Sequence, residues 1–471
     1  MGTSVVWIRN DLRFHDNTAL IKAINHTKDD EQLIITFYLD PKQFKARTNS
    51  HDYFFSSLNS FYKSCLKKGL DIYFMYGELL YCFDKLLKEF GNIERIYFNI
   101  DESGYGQIRD QEVSSFLKER NVEVLAYYDH CIHSAKDILK SDNSHYKVFT
   151  PYYNNWREEF KSRELDINYD KLMKITLNNF TDKDEQGREK FCELIDDVKR
   201  DFSEFVGEER ARKILKDFVN FKLSKYDKNR DLPYTDGTSR LSYFLSTGQI
   251  SIREVYNTIV KMPYSKGKET FIKELAWRDF YNMIYHFYPN QYNEEIIPKY
   301  RNILWEYGEE DFIKWKEGKT GFPIVDAAMR QLKEEGWMYN RLRMISASFL
   351  VKDLLIDWRW GEKYFSEMLI DYDSASNIGG WQWVASVGTD AVPYFRIFNP
   401  TTQSQKFDPE GKFIKKYVKE LNEIPKEYIH EPYRHIKQLK NQYGIDIEKL
   451  YSKPMVDHKI QRLRAIEMFN I

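Results

Sequence analysis

Short apolar runs alternate with helical patterns in the first 132 residues of the chain. The runs lie at residues 5–8, 33–39, 72–76, 95–98 and 122–127, and helical periods separate them, most clearly at 54–68 and 84–90. Near-continuous apolar strands are typical of a parallel sheet that is covered on both faces. The alternation therefore predicts an α/β domain with a five-stranded parallel sheet over residues 1–132.

The second part of the chain follows a different pattern. Residues 133–200 are polar and charged, and they predict a connector. Helical periods then continue to the end, at 271–287, 321–335, 339–358 and 363–371, without the alternation typical of strands. The predicted organisation is thus an α/β parallel-sheet N-terminal domain, a connector, and a large all-α C-terminal domain over residues 201–471.

Composition restricts the compartment and the class of protein. The chain has no run of about 18 apolar residues, and its N-terminus lacks the basic stretch and long apolar core of a signal peptide. Its four cysteines lie far apart without a C-x-x-C pair, which argues against a disulfide framework or a structural zinc. We expect a cytoplasmic protein that crosses no membrane and holds no metal.

Two common nucleotide-binding motifs are missing from the sequence. No G-x-G-x-x-G follows a predicted strand, and Gly318-Lys319-Thr320 lacks the earlier glycine of a P-loop, because Ile313 stands at that position. We interpret residues 318–320 as a turn that caps a helix. Ligand chemistry is therefore expected in the helical part of the chain.

Two segments of the helical part combine polar groups with aromatic rings. Around residues 236–242, hydroxyls, backbone N–H groups and an arginine precede a helix, which suits a phosphate, although a plain helix N-cap explains the segment more simply. Glu274, Trp277 and Tyr281 share a helix face, so that a carboxylate and an indole could hold a nucleobase together. The alternative is an amphipathic helix with a tryptophan in the core.

Two further segments mix charge, amide and indole groups. The spacing predicts one shared helix face for Trp337, Asn340, Arg341 and Met344. At residues 371–383, two carboxylates, an amide and paired glycines accompany Trp381 and Trp383. On a helix these two indoles lie about 200° apart, so one can face a cavity while the other faces the core. A capped helix with buried aromatics explains the tryptophans but not the acids and the amide.

Several of these segments resemble one known family. GKTGFPIVDAAMRQL at 318–332, GWMYNRLRM at 336–344, FLVKDLLIDWR at 349–359, NIGGWQW at 377–383 and YFRIFNPTTQ at 394–403 resemble the flavin-binding helical domain of the photolyase/cryptochrome family. RNDLR at 9–13 and TPY at 150–152 resemble its N-terminal and linker signatures. The resemblance runs nearly end to end and is greatest to class I cyclobutane pyrimidine dimer photolyases.

The resemblance implies cofactors, a reaction and a partner. The family holds FAD in its helical domain, and reduced flavin excited by light passes an electron to a pyrimidine dimer in UV-damaged DNA, which then splits. A second, antenna chromophore is common, with methenyltetrahydrofolate as the first candidate; Ser103 stands at the usual acidic position, with Glu102 beside it. We expect a monomer whose net charge of −1 leaves a confined basic strip for DNA.

The resemblance also assigns site residues, position by position. The positions that match FAD contacts are Tyr226, Thr238, Ser239, Arg240, Leu241, Ser242, Phe271, Asp371, Tyr372, Asp373 and Asn377. Those that match DNA or lesion contacts are Arg230, Glu274, Trp277, Arg278, Tyr281, Asn340, Arg341, Trp383 and Gln403. Trp305, Trp358 and Trp381 match a chain that carries electrons to the flavin under light. Glu274, Asn377 and Met344 are the expected catalytic residues, with Asn377 beside the reactive flavin nitrogen and Met344 fitting a cyclobutane dimer.

Two alternatives to a light-dependent DNA-repair lyase remain open. A cryptochrome-type blue-light photoreceptor would share the fold, and a flavoprotein acting on small molecules in the dark would share the cofactor. The combination of Glu274, Trp277, Asn340, Arg341 and Met344 favours repair, because a photoreceptor needs no lesion pocket. The missing nicotinamide-binding motif disfavours the dark flavoprotein.

Overall fold

The computed structural model describes residues 2–44, 48–158, 164–178, 180 and 185–470. Its N-terminal part contains a five-stranded sheet in which the strands run parallel in the order 3-2-1-4-5. The strands are β1 (Thr3–Ile8), β2 (Gln32–Leu39), β3 (Tyr73–Tyr76), β4 (Ile93–Asn99) and β5 (Glu123–Tyr127). Each strand overlaps a predicted apolar run, and the predicted parallel α/β architecture is confirmed.

Helices cover both faces of this sheet. The helices between the strands are α1 (Thr18–His26), α2 (Asn49–Lys67), α3 (Leu79–Phe90) and α4 (Gly104–Lys118). Val6 and Ile35 pack in one apolar core, whereas their chain neighbours Val5 and Ile34 pack in another. Because successive side chains of a strand point to opposite faces, burial of both faces explains why the strands are unbroken apolar runs.

Residues 133–200 contain more regular structure than a polar connector predicts. The described part of this segment contains three helices, α5 (Phe149–Trp156), α6 (Tyr169–Ile175) and α7 (Glu185–Asp196). Phe191 of α7 stacks on Phe74 of β3, with ring centroids 4.3 Å apart. Part of this segment therefore belongs to the packing of the sheet, and the proposed domain limits at 132 and 200 stay predictions.

From residue 201 onward the described chain is helical, which confirms the predicted all-α region. Its helices are α8 (Glu208–Phe221), α9 (Tyr226–Asn229), α10 (Ser242–Ser246), α11 (Ile252–Val260), α12 (Lys266–Phe287), α13 (Glu309–Glu317), α14 (Pro323–Glu335), α15 (Asn340–Ser348), α16 (Trp358–Met368), α17 (Ser374–Ala385), α18 (Pro400–Phe407), α19 (Lys412–Tyr417), α20 (Ile436–Tyr443), α21 (Ile447–Leu450) and α22 (His458–Phe469). Gly318 ends α13 in the left-handed conformation, with a φ of 64°, so the predicted capping turn is also confirmed.

The continuous helix predicted over residues 339–358 is wrong. Helix α15 runs into a π-helical turn at Phe349–Asp353, and Leu355 then takes a φ of 57°, which ends the helix. Asp357 caps the next helix by accepting a hydrogen bond of 2.9 Å from the backbone N–H of Arg359. The apolar period continues through the break because the side chains on both sides remain buried.

A buried ionic network joins the α/β part to the helical part. Arg253 of α11 lies 2.8 Å from the carboxylate of Asp16 and 2.7 Å from that of Asp129, and Arg13 lies 2.6 Å from the second oxygen of Asp129. Although burial opposes it, the two guanidinium groups hold the pKa of Asp129 well below its usual range. The carboxylate is therefore charged in the folded protein, and the network fixes the orientation of α11 against the sheet.

The described helices include none with both the length and the apolar character that a membrane crossing requires. In the same residues, His, Cys, Asp and Glu side chains form no group of three or more that suits a metal ion.

Candidate functional site

The turn at residues 238–242 presents hydroxyl groups and an arginine in front of the short helix α10. Arg240 has a φ of 56°, and its guanidinium carbon lies 3.6 Å from the centroid of the Trp337 ring. The indole N–H of Trp337 donates to the hydroxyl of Ser242 at 3.3 Å. The hydroxyl oxygen of Thr238 is buried and has no hydrogen-bond partner among the described residues. An unpaired buried hydroxyl is costly, so this turn is suited to a polar ligand group.

Helix α12 presents a carboxylate between an arginine and aromatic rings. Glu274 accepts a hydrogen bond from the guanidinium of Arg230, and its side chain is 30% exposed. One turn further on, the Trp277 ring stacks on Phe149 of α5, with centroids 3.7 Å apart and planes 6° from parallel. The stacking fixes the indole plane. A half-buried charge next to a fixed aromatic plate can both hydrogen-bond and stack a planar base.

Tyr226 and Phe271 form an aromatic wall close to this carboxylate. Their rings meet edge to face with centroids 5.3 Å apart, and Phe218 of α8 packs against both. The guanidinium carbon of Arg230 lies 5.4 Å from the Tyr226 ring centroid, so the arginine connects the wall to Glu274.

The first turn of α15 carries an amide, a guanidinium and a thioether. The amide nitrogen of Asn340 lies 3.9 Å from the sulfur of Met344, and Asn340 is exposed. Arg341 donates to Asp231 at 2.8 Å, and its guanidinium carbon lies 4.6 Å from the centroid of the Phe407 ring. The helix begins at Asn340, so Trp337 precedes it and does not share the predicted face.

Helix α17 brings a second set of polar side chains together. Arg343 donates to both oxygens of Asp371, at 3.0 and 2.8 Å. The amide of Asn377 donates to Glu362 at 3.1 Å, and the hydroxyl of Tyr372 donates to the same carboxylate oxygen at 3.1 Å. Glu362 therefore fixes the orientation of the Asn377 side chain.

Close packing of α12 against α17 depends on a glycine. A side chain at Gly379 would collide with the Tyr281 ring, whereas one at Gly380 would meet open space. The two neighbouring glycines thus serve different purposes: Gly379 allows the helices to approach, and Gly380 borders an opening.

The three tryptophans of the expected electron chain differ in exposure. Trp381 and Trp358 are buried, and Trp305 is partly exposed. Trp381 packs on Phe365 of α16 with centroids 5.0 Å apart, and Trp305 packs on Phe469 of α22 at 5.9 Å. Exposure therefore rises at the end where Trp305 lies.

A cavity of about 880 Å³ opens at the carboxyl ends of β1, β2 and β4 and extends to Tyr372 and Asp373, two of the expected FAD contacts. Trp7, Phe37 and Tyr105 are among its aromatic lining residues, and Tyr372 and Ile378 close it from the helical side. Glu102 lies at its edge, where it accepts hydrogen bonds from the backbone N–H of Ala135 at 2.7 Å and from Asn282 at 2.9 Å. Burial raises the pKa of Glu102 to about 7.

The sequence matches two family models. The model described as DNA photolyase matches residues 4–169, and the model described as FAD binding domain of DNA photolyase matches residues 271–471. A deoxyribodipyrimidine photo-lyase of Alkalihalophilus pseudofirmus is 46% identical over 100% of this chain and 99% of its own length. One of Escherichia coli is 35% identical over 100% of this chain and 98% of its own length.

The chain belongs to the DNA photolyase family. Solved structures of this family share its fold over the full length. A bacterial class III photolyase from Agrobacterium tumefaciens is 32% identical, with a TM-score of 0.91 over 100% of this chain and 97% of that one. A cryptochrome from Synechocystis is 25% identical, with a TM-score of 0.84 over 99% of both chains.

The side chains of this photolyase-family chain fit FAD chemically. A flavin dinucleotide needs hydrogen-bond donors for its pyrophosphate, and the turn at 238–242 supplies an unpaired buried hydroxyl and an arginine. It also needs polar partners for the edge of its ring, and two polar pairs lie at or just before α17, Asn377 with Glu362 and Asp371 with Arg343. The FAD-binding family model begins at residue 271, so Tyr226 and residues 238–242 lie outside its match.

One expected DNA contact of this photolyase-family chain is engaged inside the protein. Arg278 donates to the backbone carbonyl of His130 and approaches the imidazole of the same residue. Although burial opposes it, the hydrogen bond from His130 and the nearby Arg278 charge hold the pKa of Asp373 well below its usual range. Arg278 therefore joins α12 to the α/β part, and its contact with DNA stays a prediction.

Three other residues were expected to contact DNA or the lesion, namely Gln403, Trp383 and Tyr281. Gln403 and Trp383 are half-buried, and Phe407, on the same helix as Gln403, packs under the Arg341 guanidinium. Tyr281 is half-buried against Trp277, with ring centroids 5.5 Å apart. These positions are compatible with their expected roles, which stay predictions.

Sequence reasoning missed Glu362. It lies one turn after Trp358 on α16 and holds Asn377 and Tyr372. The helical spacing of Trp358 and Glu362 was the available signal, but the contact partner lies 15 residues away on another helix.

Proposed function

We propose that this protein is a deoxyribodipyrimidine photo-lyase that repairs cyclobutane pyrimidine dimers in UV-damaged DNA. Full-length relatives with this name, at up to 46% identity, support the activity. When bound and reduced, FAD supplies the light-driven electron that opens the cyclobutane ring. The observation that carries the proposal is the Arg230–Glu274 pair next to the fixed Trp277 ring, because a photoreceptor without a lesion would not need it.

The lesion contacts follow from the chemistry of these side chains. Glu274 accepts a hydrogen bond from the base edge of the flipped dimer, and Trp277 and Trp383 provide aromatic surfaces on which it packs. The thioether of Met344 offers a soft apolar surface to the cyclobutane ring. The exposed amide of Asn340, next to this thioether, can hydrogen-bond to the lesion. A damaged pair leaves the DNA stack at less cost than an intact one, which gives selectivity.

The FAD contacts divide by chemistry into two groups. Thr238, Ser239, Arg240, Leu241 and Ser242 would hold the pyrophosphate, and Tyr226 and Phe271 would pack beside the cofactor. Asp371, Tyr372, Asp373 and Asn377 would border the flavin ring, and the Asn377 amide is a group that could donate to or accept from its reactive nitrogen.

Positive side chains around the lesion pocket bind the DNA backbone. Arg230 and Arg341 are only partly exposed and are each paired with an acid, so the basic strip is narrow. Arg278, which also bonds to His130, and the uncharged Gln403 are further expected DNA contacts. This arrangement supports DNA binding that weakens as the salt concentration rises.

The second cavity is suited to an antenna chromophore. Its volume of about 880 Å³ lies within the usual range for small-molecule sites, and its lining is rich in aromatic rings. An archaeal photolyase from Sulfolobus tokodaii, 31% identical with a TM-score of 0.82 over 99% of both chains, was described with two FAD molecules. Methenyltetrahydrofolate, which carries a planar pterin ring, is our first candidate; Glu102 already accepts hydrogen bonds from Ala135 and Asn282, so the aromatic lining would supply the main contacts to that ring.

A single experiment tests the activity and the cofactors. The purified holoenzyme is illuminated with an oligonucleotide that contains one thymine dimer, and a dark sample and undamaged DNA serve as controls. We expect dimer loss only under light, and extraction should yield FAD together with a second chromophore. A protein that binds FAD but leaves the dimer intact under light would support the photoreceptor instead.

A further inference from the structure

The indole N–H groups of Trp358 and Trp381, the two buried members of the expected electron chain, have different surroundings. The Nε1 of Trp381 is buried and has no hydrogen-bond partner among the described residues. The Nε1 of Trp358 donates to the carboxylate of Glu295 at 3.2 Å. The Glu295 side chain is only 2% exposed, so water screens its charge weakly.

One arginine and two carboxylates lie next to Trp358. Arg359 donates to Glu295 at 2.9 Å and to Asp357 at 3.0 Å, so one guanidinium is shared by two carboxylates. The guanidinium carbon lies 4.8 Å from the Trp358 ring centroid, whereas an oxygen of Glu295 accepts the hydrogen bond of the indole nitrogen itself at 3.2 Å. The hydrogen-bonded carboxylate opposes the effect of the arginine on the ring.

The position of Glu295 is fixed by Gln382, which lies between Trp381 and Trp383 on α17. The buried Gln382 amide donates to the backbone carbonyls of Gln291 at 2.7 Å and Glu294 at 2.8 Å. Its oxygen accepts from the backbone N–H of Ile296 at 3.0 Å. The loop that carries Glu295 is thus attached to the same helix as Trp381.

We propose that Glu295 is a positioning residue that makes Trp358 easier to oxidise than Trp381. The inference rests on the proposed function and concerns how oxidised flavin is reduced by light. With FAD bound, Trp381 would supply one electron to it, Trp358 would then supply one to Trp381, and Trp305 one to Trp358. A small-molecule thiol in solution would return one electron to the partly exposed Trp305, losing its proton to water and ending as half of a disulfide.

Glu295 acts at the second of these steps. The positive charge left on Trp358 is stabilised by the carboxylate, and the indole proton stays on Nε1 in its hydrogen bond to Glu295. Within the described part of the chain, the indole nitrogen of Trp381 has no comparable partner, so return of the charge to Trp381 is uphill. The charge separation would then last long enough for Trp305 to transfer an electron to Trp358.

The first test removes the charge while it keeps the shape of the side chain. Glu295→Gln in the FAD-loaded protein should lower the yield of long-lived charge separation after a blue flash by at least about fivefold, because a near, weakly screened charge is lost. Glu306→Gln is the matched control: Glu306 is next to Trp305 in sequence but its side chain is 45% exposed, and the yield should stay within about twofold of wild type.

Two further readouts separate tuning from a structural role. Repair by chemically pre-reduced Glu295→Gln should match wild type, because that reaction does not use the tryptophan chain. In the 15N-tryptophan-labelled apoprotein, the Trp358 indole N–H resonance should shift when Glu295 is replaced. A wild-type yield in Glu295→Gln with normal FAD content overturns the inference, whereas absence of repair in wild type would overturn the proposed function instead.

A second pair of variants covers the case in which Glu295→Gln loses FAD. In Trp305→Phe the charge can rest only on Trp358 or Trp381, and the inference places it on Trp358. Charge separation should then last at least about tenfold longer in Trp305→Phe than in the double variant Trp305→Phe/Trp358→Phe. Equal lifetimes would show that the charge stays on Trp381, and would overturn the inference.

Discussion

Replacement of Glu274 by Gln isolates the charge that the proposed function assigns to lesion recognition. The carboxylate is paired with Arg230, 30% exposed, and placed one turn before the Trp277 ring. Glutamine keeps the length of the side chain and one acceptor oxygen. It removes the charge without opening a cavity.

The expected magnitude follows from the type of hydrogen bond that is weakened. A hydrogen bond that involves a charged group contributes about 1.5–3 kcal/mol, which corresponds to roughly a ten- to hundredfold change in an equilibrium constant. The exposure of Glu274 places the effect towards the lower end of this range. The affinity for dimer-containing DNA should therefore fall by about tenfold, and the FAD content should not change.

Fluorescence anisotropy with one thymine-dimer oligonucleotide and its undamaged counterpart measures this difference. Glu269→Gln is the matched control, since Glu269 lies on the same helix, is exposed, and pairs with Lys273 at 3.0 Å. The repair yield per absorbed photon should fall only in Glu274→Gln. Equal loss of affinity for damaged and undamaged DNA, or loss of FAD, would refute the assignment of Glu274 to the lesion.

Three other outcomes are expected. Trp305→Phe should abolish light-driven reduction of oxidised flavin in thiol buffer. The reduction is measured as bleaching of the flavin absorbance, and undiminished bleaching would contradict the role of the three tryptophans. Arg341→Gln should lower the slope of log affinity against log salt by about 0.9, measured on undamaged DNA, and an unchanged slope would exclude a phosphate contact. Burial raises the pKa of Asp408 from 3.8 to about 6, so the folded state binds this proton more tightly, and its contribution to stability, about 3 kcal/mol, is present below pH 4 and lost as the pH rises through 6. Asp408→Asn should flatten the dependence of the free energy of unfolding on pH in this range, measured by urea unfolding at several pH values. A slope identical to that of wild type would count against the raised pKa of Asp408.

The sequence was sufficient for the sheet because both of its faces are buried. Val5 and Val6 enter different cores, so the strands appear as unbroken apolar runs that are easily recognised. The predicted helix over 339–358 failed because its break depends on the backbone of Leu355 and the cap at Asp357, while burial continues on both sides.

The candidate site was predictable only where one motif carries it. Residues 371–383 suggested a polar ligand site from their composition, and the structure brings Asp371 and Asn377 to partners on α15 and α16. The sequence did not indicate Glu362 or Glu295. Glu362 contacts Asn377 and Glu295 contacts Trp358, and in each case the partner lies on a different element of the chain. Pairing between distant segments is set by the tertiary fold, which local spacing does not encode.

The ionic network at the junction has a consequence for how this chain can be divided. A fragment that begins at residue 201 would keep Arg253 but lose Asp16 and Asp129, and the N-terminal fragment would retain two buried acids without their common arginine. Breaking a buried pair by removing one partner costs about 3–5 kcal/mol, a large fraction of the stability of an ordinary protein. We therefore expect each region to lose stability when it is made without the other, and a flavin-binding fragment made without the sheet to aggregate.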